Sequence, residues 1–376
     1  MPTPPGVRGR DGAYIESHSP VATKPDPTRL RQRLYLDHAA TTPLLPEARA
    51  ALAEGLATWA NPSSPHAEGR AARAALEAAR ESIKAALGWR HELIFTSGAS
   101  EAIAIVLDRT AADVVFVSAA EHDAVLRAGP DVPRLAVDGD GRVAPPPAGH
   151  PGAAPPLIAV QHVNNETGVI HGRPPASGWW FADCAQSAGK IPLPDADLIA
   201  VSAHKLGGPP GIGALLVRDP AMLRPSGGQE RGYRGGTENV PAALGFAAAL
   251  AAATPWMDRA AELRARLEAG VLAAGGEIVA AASPRIPTIG SYRLPGVPAA
   301  SQLIRLDMAG IAVSAGSACS SGSVRPSHVL AAMGWTEAAA REVIRVSFGP
   351  ETGAADVDRF LEAWRGMARQ VPARAA

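Results

Sequence analysis

The residues best suited to chemistry are a lysine and an aspartate that each follow an apolar run. Lys205 comes shortly after the run Asp197–Val201, which reads as a buried strand, and the glycine-rich stretch 207–211 follows it. Asp183 ends a second apolar run, which begins at Trp179. A lysine at a strand end can form a Schiff base with an aldehyde cofactor, and a carboxylate can pair with the protonated pyridine nitrogen of pyridoxal phosphate (PLP). The alternative is a surface lysine with a helix-capping aspartate, and these two residues alone do not decide between them.

The chain has two cysteines, which differ in their surroundings. Cys184 lies at the end of a predicted core strand, where a small buried hydrophobe is the ordinary reading, and we assign it no chemistry. Cys319 lies in the run 313–323 of small residues, with no large apolar neighbour to bury it, which favours a functional thiol. Because there is no CxxC, the pattern excludes a disulfide framework and argues against a cysteine zinc site; no metal is predicted. A reducing, cytoplasmic setting fits.

Length and composition limit the possible classes of protein. The chain has 376 residues, of which 47% are hydrophobic, enough for one large domain with a smaller one attached. The formal net charge is +0, so nothing indicates direct binding to nucleic acid or to a membrane surface. Residues 1–33 are proline-rich without apolar periodicity, and we expect a disordered tail. We expect a large cofactor-binding domain over 34–255 and a small C-terminal domain over 256–376.

Short apolar runs separated by helical or loop segments predict a doubly wound, mostly parallel α/β sheet. The predicted strands of this sheet are 92–96, 114–117, 134–137, 157–161, 179–182, 197–201 and 213–217. Polar clusters at 100, 122, 165, 183 and 202–205 lie just after strand ends. Ligands bind at that edge in such sheets, so we expect these clusters to form one site. The turn 97–101 also opens a helix, which suits a phosphate, although an ordinary helix cap with Glu101 in the first turn explains it equally.

Six separated motifs together resemble the cysteine desulfurases, PLP enzymes of the class V aminotransferase family. The similarity runs from about Tyr35 to the last helix and implies the PLP-dependent fold type I. One motif would be weak evidence, but all six occur in order. They are Tyr35–Pro43, Phe95–Glu101, His162–Glu166, Ser202–Lys205, Glu230–Gly232 and Gly316–Ser320.

The resemblance implies a set of residues that bind PLP. Lys205 is the Schiff-base lysine, Asp183 pairs with the pyridine nitrogen and Gln186 with the ring hydroxyl. His122 stacks on the ring and Asn165 lies beside the cofactor; without the resemblance they read as a satisfied histidine at a strand end and a turn asparagine. The phosphate contacts are Ala99, Ser100, Ser202 and His204, with Thr237 reaching in from the other subunit of a homodimer. Position 100 is serine where threonine is expected, which keeps the hydroxyl.

The resemblance also implies how the substrate reacts. Arg345 would clamp the α-carboxylate of L-cysteine, a role that suits a planar bidentate donor. The alternative interpretation of Arg345, a surface arginine on an edge strand, is weaker because apolar residues flank it on both sides. Cys319 would take the sulfur, giving alanine and a cysteine persulfide, and would pass it to an acceptor such as an iron–sulfur scaffold or a tRNA-thiolation protein. Rival readings are a selenocysteine lyase, a transaminase or a scaffold that has lost activity.

One segment departs from the family pattern. Relatives have room for a crossover helix before the strand that ends at Ala182, but here the connection is His171–Gly178, with two prolines and two glycines. Such a segment cannot form a stable helix. Because parallel sheets are normally covered on both faces, we expect the surface beside Trp179 and Trp180 to be covered by the N-terminal tail, the dimer mate or a partner protein.

Overall fold

The computed structural model describes residues 33–58, 60–147, 149, 152–253, 255–316 and 327–370. Cys319 and all but the last residue of the predicted tail lie outside these ranges, so those two predictions are untested. Within the described ranges, no helix combines the length and the apolar character needed to cross a membrane.

The strands of the described residues belong to one large sheet and two small ones. They are β1 Leu34–Tyr35, β2 Glu92–Thr96, β3 Val115–Ser118, β4 Arg134–Leu135, β5 Leu157–Ala159, β6 Trp179–Asp183, β7 Leu198–Ser202, β8 Gly213–Val217, β9 Glu277–Ile278, β10 Ile289–Arg293, β11 Ile311–Ala312 and β12 Val343–Ser347.

The large sheet has the order β2-β8-β7-β6-β5-β3-β4. The strands from β7 to β4 run parallel, while β8 lies antiparallel between β2 and β7. The predicted mostly parallel α/β sheet is therefore confirmed. Nearly every residue of β5, β6, β7 and β8 is buried, as expected for strands whose two faces are both covered.

Helices cover both faces of the large sheet. The described helices are α1 Pro46–Ala57, α2 Ala67–Ala86, α3 Ala99–Arg109, α4 Asp123–Ala128, α5 Val240–Ala251, α6 Met257–Ala273, α7 Ala299–Met308, α8 His328–Ala332, α9 Glu337–Ala340 and α10 Ala354–Ala368. On one face Leu76 of α2 and Phe246 of α5 share a core with the sheet. On the other face Ile103 of α3 packs with Leu215 of β8. Apolar spacing along α2 and α3 thus decides which side of each helix meets the sheet.

A second core forms around the small antiparallel sheet β12-β10-β9. Leu267 of α6, Trp364 of α10 and Ile344 of β12 belong to it. The domain boundary expected near residue 255 remains a prediction.

The segment that follows β1 connects the small sheets to the edge of the large one. β1 pairs in parallel with β11, and Asp37 forms a bridge with Ser347 at the end of β12. The chain then reaches the turn after β7, where the Thr42 amide donates to the His204 carbonyl at 2.9 Å. We call residues 34–42 the N-terminal segment; its backbone passes directly beside Lys205.

The cover over Trp180 corrects one sequence-based expectation. Residues 171–178 form no helix, as predicted. Trp180 is nevertheless only 1% exposed, in a core cluster against which Val143, Ala176 and Leu193 pack. The Arg173 guanidinium lies 5.9 Å from the centre of the Trp180 ring. The expectation of cover from outside is wrong for Trp180, because loop side chains of the chain itself replace the helix.

Replacing Trp180 by phenylalanine should lower the free energy of unfolding by roughly 1–3 kcal/mol. The Trp180 indole Nε1 donates to the buried Val160 carbonyl at 2.8 Å, and phenylalanine would leave that carbonyl without this partner. Urea titration of both proteins measures the change. Trp179→Phe is the matched control, because its half-buried ring should cost less. Equal losses in the two variants would contradict this account.

Candidate active site

A cavity of about 320 Å³ opens where strands β6 and β7 end. Nine of the residues predicted from the sequence line it together: Ala99, Ser100, His122, Asn165, Asp183, Gln186, Ser202, His204 and Lys205. They come from five separate stretches of the chain, each at or just after the end of a strand or at the start of α3. The convergence follows from the sheet, because the ends of parallel strands meet at one edge.

Lys205 lies on a short 3₁₀ turn, Ala203–Lys205, directly after β7. Its Nζ donates to the carbonyls of Ala39 and Ala40, each at 2.7 Å. Burial and the charge of Arg345 together lower the pKa of Lys205 to about 8, although Asp183 and Asp37 oppose the shift. An amine with this pKa is partly uncharged near neutral pH and can attack a carbonyl carbon.

Asp183 and His122 face the cavity from neighbouring parts of the sheet. Asp183 ends β6, and its Oδ1 accepts a hydrogen bond from the Ala185 amide at 2.9 Å. Burial raises the pKa of Asp183, and the positive charges of His122 and Lys205 oppose that shift. Burial lowers the pKa of His122, at the start of α4, and its Nδ1 accepts a hydrogen bond from the Ala124 amide. A buried carboxylate of this kind gains from a nearby cation.

Two buried amide oxygens in the cavity wall have no hydrogen-bond partner among the residues that the structure describes. They are Oε1 of Gln186 and Oδ1 of Asn165. The Gln186 amide is oriented by its Nε2, which donates to the Ala39 carbonyl at 2.9 Å. Buried polar atoms are normally paired, so these two oxygens indicate that a polar ligand belongs here.

Another part of the cavity wall suits a phosphate group. Helix α3 begins at Ala99, and its first residues line the cavity together with Ser202. Gly98 precedes it with φ of 155°, where an added side chain would be strained. The free N–H groups and dipole of a helix N-terminus favour an anion. The nearby carboxylate of Glu101 is compensated by Arg234, whose Nε lies 3.0 Å from it.

Arg345 contacts a residue of the cavity wall. It is 5% exposed in the middle of β12, and its Nη1 donates at 3.0 Å to the carbonyl of Asn165, which lines the cavity. The structure does not bring Thr237 to this cavity; that residue is exposed on the loop before α5. Cys184 is fully buried, and burial raises the pKa of its thiol far above the ordinary value, consistent with a structural role.

Sequence reasoning missed several members of this site. The carbonyls of Ala39 and Ala40 and the carboxylate of Asp37 contact Lys205 or Arg345. All three lie in the motif Tyr35–Pro43, to which no role was assigned. A main-chain carbonyl can accept a hydrogen bond whatever the residue type, so only the motif Tyr35–Pro43 indicated that this stretch belongs to the site.

Comparison with known proteins identifies the family to which the chain belongs. The chain has the PLP-dependent fold type I, an α/β sheet with a lysine after one strand and an aspartate at the end of the neighbouring strand. The class V aminotransferase family model matches residues 34–360, and the chain belongs to this family. Class V aminotransferases are PLP-dependent in general.

Individual relatives share most of the chain. A cysteine desulfurase of Cereibacter sphaeroides is 37% identical over 371 residues, which span 88% of this chain and 94% of the relative. The X-ray structure of a NifS-like protein from Rickettsia africae matches with a TM-score of 0.78 and 27% identity, covering 90% of this chain and 99% of that one. A structure of SspA in complex with cysteine matches with a TM-score of 0.69 and 27% identity, over 85% of this chain and 100% of that one.

The rate at which the cofactor-free protein captures PLP should rise between pH 7 and 9 and level off above that range. Only the uncharged amine reacts, and the pKa of Lys205 is about 8 rather than the ordinary 10.5. Absorbance after mixing follows the reaction. Lys205→Ala should show no capture, while Lys84→Arg, which changes a lysine on α2 that pairs with Glu81 and does not line the cavity, should keep the profile. A rate that continued to rise beyond pH 10 would show that Lys205 has an ordinary pKa.

Proposed function

We propose that this protein is a PLP-dependent cysteine desulfurase. The observation that carries the proposal is the convergence of Lys205 and Asp183 on one cavity that also holds the unpaired amide oxygens of Gln186 and Asn165. Relatives named cysteine desulfurase match nearly the full chain, which supports the same activity.

The cavity residues fit PLP in type and charge. Lys205 would hold the aldehyde carbon, Asp183 the pyridine nitrogen and Gln186 the ring hydroxyl, with His122 against the ring face. Ser100, Ser202, His204 and the start of α3 at Ala99 would hold the phosphate. PLP, when bound, withdraws electrons from the α-carbon of an amino acid and makes the Cβ–S bond of cysteine labile.

The chain's own residues would then orient the substrate and receive its sulfur. Arg345 and Asn165 would hold the α-carboxylate of L-cysteine, and Lys205, once displaced, would carry protons at the α-carbon. The Cys319 thiolate would attack the sulfur: an S–S bond forms, the Cβ–S bond breaks, and Cβ takes a proton to give alanine. The persulfide on Cys319 would pass to an acceptor protein of an iron–sulfur or tRNA-thiolation system, in a reducing, cytoplasmic setting.

The loop that carries Thr237 supports assembly as a homodimer. Its residue Glu230 is buried and pairs with Arg80 through contacts of 2.8 and 2.9 Å, and it accepts a hydrogen bond from the Phe95 amide at 2.7 Å. Arg234 ties the same loop to Glu101 on α3. The loop is therefore held against its own chain while Thr237 is exposed and available to a second subunit.

Replacing each cysteine separately should distinguish the thiol that takes part in sulfur transfer from the thiol that contributes only to stability. Cys319→Ser should keep PLP bound but release little alanine from L-cysteine, because a hydroxyl at neutral pH is a poor nucleophile for sulfur. Cys184→Ala should keep most activity and lower the melting temperature, because it leaves a space in the core. Alanine release and thermal melting measure the two effects. The reverse pattern would mean that the wrong thiol was assigned, and selenide release exceeding sulfide release would favour a selenocysteine lyase.

Dilution should weaken PLP binding if Thr237 completes the site of a second subunit. We expect the protein to sediment as a dimer and to lose PLP affinity at concentrations where it dissociates. Thr237→Ala should lower PLP affinity without changing the sedimentation coefficient, whereas Thr336→Ala, which removes a threonine that caps α9, serves as a matched control. A fully active monomer would contradict the dimeric site.

A further inference from the structure

Arg345 is a buried arginine whose guanidinium is only partly paired within the described structure. Its Nη1 donates to the Asn165 carbonyl at 3.0 Å and its Nη2 to Oδ1 of Asp37 at 2.8 Å. Its Nε is buried and has no hydrogen-bond partner in the described part of the chain. A guanidinium has five N–H groups in a rigid plane, so these two contacts fix its orientation and leave donors for a further ligand.

The backbone of Asp37 is held from several directions. Asp37 bridges to Ser347, two residues beyond Arg345 on β12. Its carbonyl accepts hydrogen bonds from the Ala40 amide at 3.0 Å and from the Tyr35 hydroxyl at 3.1 Å. The carboxylate is therefore placed by an ordered main chain, and its side chain is only 20% exposed. A short, ordered acid of this kind can hold a long side chain in one rotamer.

The remaining donors of Arg345 suit a second carboxylate. The contact to the Asn165 carbonyl holds the guanidinium beside the wall of the cavity, where the α-carboxylate of an amino acid would lie. A carboxylate binds a guanidinium through two parallel hydrogen bonds, and the Nε edge can supply such a pair. Without Asp37, the guanidinium would be a buried cation with one neutral contact, free to turn and unfavourable to bury.

We propose that Asp37 is a positioning residue for Arg345: it fixes the guanidinium so that its Nε edge receives the α-carboxylate of the substrate. This inference rests on the proposed function. Asp37 also offsets the charge of Arg345 near Lys205, since the two residues shift the pKa of that amine in opposite directions.

The competing explanation is that the pair only ties the N-terminal segment to β12. Such a tie would matter for every ligand of the cavity, whereas a positioning role matters only for ligands with a carboxylate. L-Alanine and ethylamine separate the two explanations, because they share the amine and the methyl group and differ only in the carboxylate. Neither contains sulfur, so both can be titrated against PLP-loaded protein without desulfuration.

The test is to measure dissociation constants of both amines from the absorbance of the bound cofactor. Asp37→Ala should weaken L-alanine binding roughly ten-fold more than ethylamine binding, about the effect of losing one charge-assisted hydrogen bond, and any change in the pKa of Lys205 should affect the two amines equally. Asp37→Asn keeps an oxygen acceptor and should recover part of the loss. In an Arg345→Ala background, Asp37→Ala should add no further loss, because the two residues act as one unit.

Control variants distinguish the positioning role of Asp37 from a loss of folding stability, and a further outcome distinguishes it from a failure of the proposed function. Asp358→Asn breaks the exposed Arg266–Asp358 pair and should change neither dissociation constant. Thermal melts check that each variant is folded, and Asp37→Asn keeps the test open if the alanine variant is not. Equal weakening of both amines, or unchanged L-alanine binding, would overturn the positioning role. If the unmodified protein bound PLP and L-alanine but did not desulfurate L-cysteine, the proposed function would fail while the role of Asp37 stood.

Discussion

The site depends on a Lys205 amine whose pKa is low enough for part of it to be uncharged near neutral pH, at the edge of a buried sheet. Burial and the charge of Arg345 favour the uncharged amine, while Asp183 and Asp37 favour the ammonium form. The balance leaves a pKa of about 8, so about a tenth of the amine is uncharged and reactive at pH 7. Two main-chain carbonyls, of Ala39 and Ala40, hold the nitrogen beside the cavity. The other features of the site either support this arrangement or bind the molecule that the amine would capture.

The N-terminal segment is the structural element that makes this balance possible. It pairs with β11, bridges to the end of β12 and then lays its carbonyls against Lys205. Asp37, on the same segment, carries the countercharge of Arg345. A single stretch of backbone therefore couples the small sheets, the proposed carboxylate clamp and the reactive amine. Catalytic groups on separate elements need such a shared support if their distances are to stay constant.

The fold and most of the cavity could be predicted from the sequence because both depend on local patterns. Apolar runs such as Asp197–Val201 mark buried strands, and polar residues at or shortly after their ends, such as Asp183 and Lys205, converge wherever parallel strands end together. Main-chain contacts and side-chain pairs between distant segments could not be predicted in this way. The Asp37–Arg345 pair joins residues far apart in sequence, and neither residue type reveals its partner. The loop cover over Trp180 was missed for the same reason, because Val143 and Leu193 carry no periodic signal.

The most direct test of the central claim is to identify the lysine that binds the cofactor. The protein would be loaded with PLP, reduced with borohydride, digested and examined by mass spectrometry for a pyridoxyl-modified peptide. The account predicts modification of Lys205, with Lys24, Lys84 and Lys190 unmodified. Modification mainly at Lys190, the other lysine near this edge of the sheet, or the absence of any modified peptide, would contradict it.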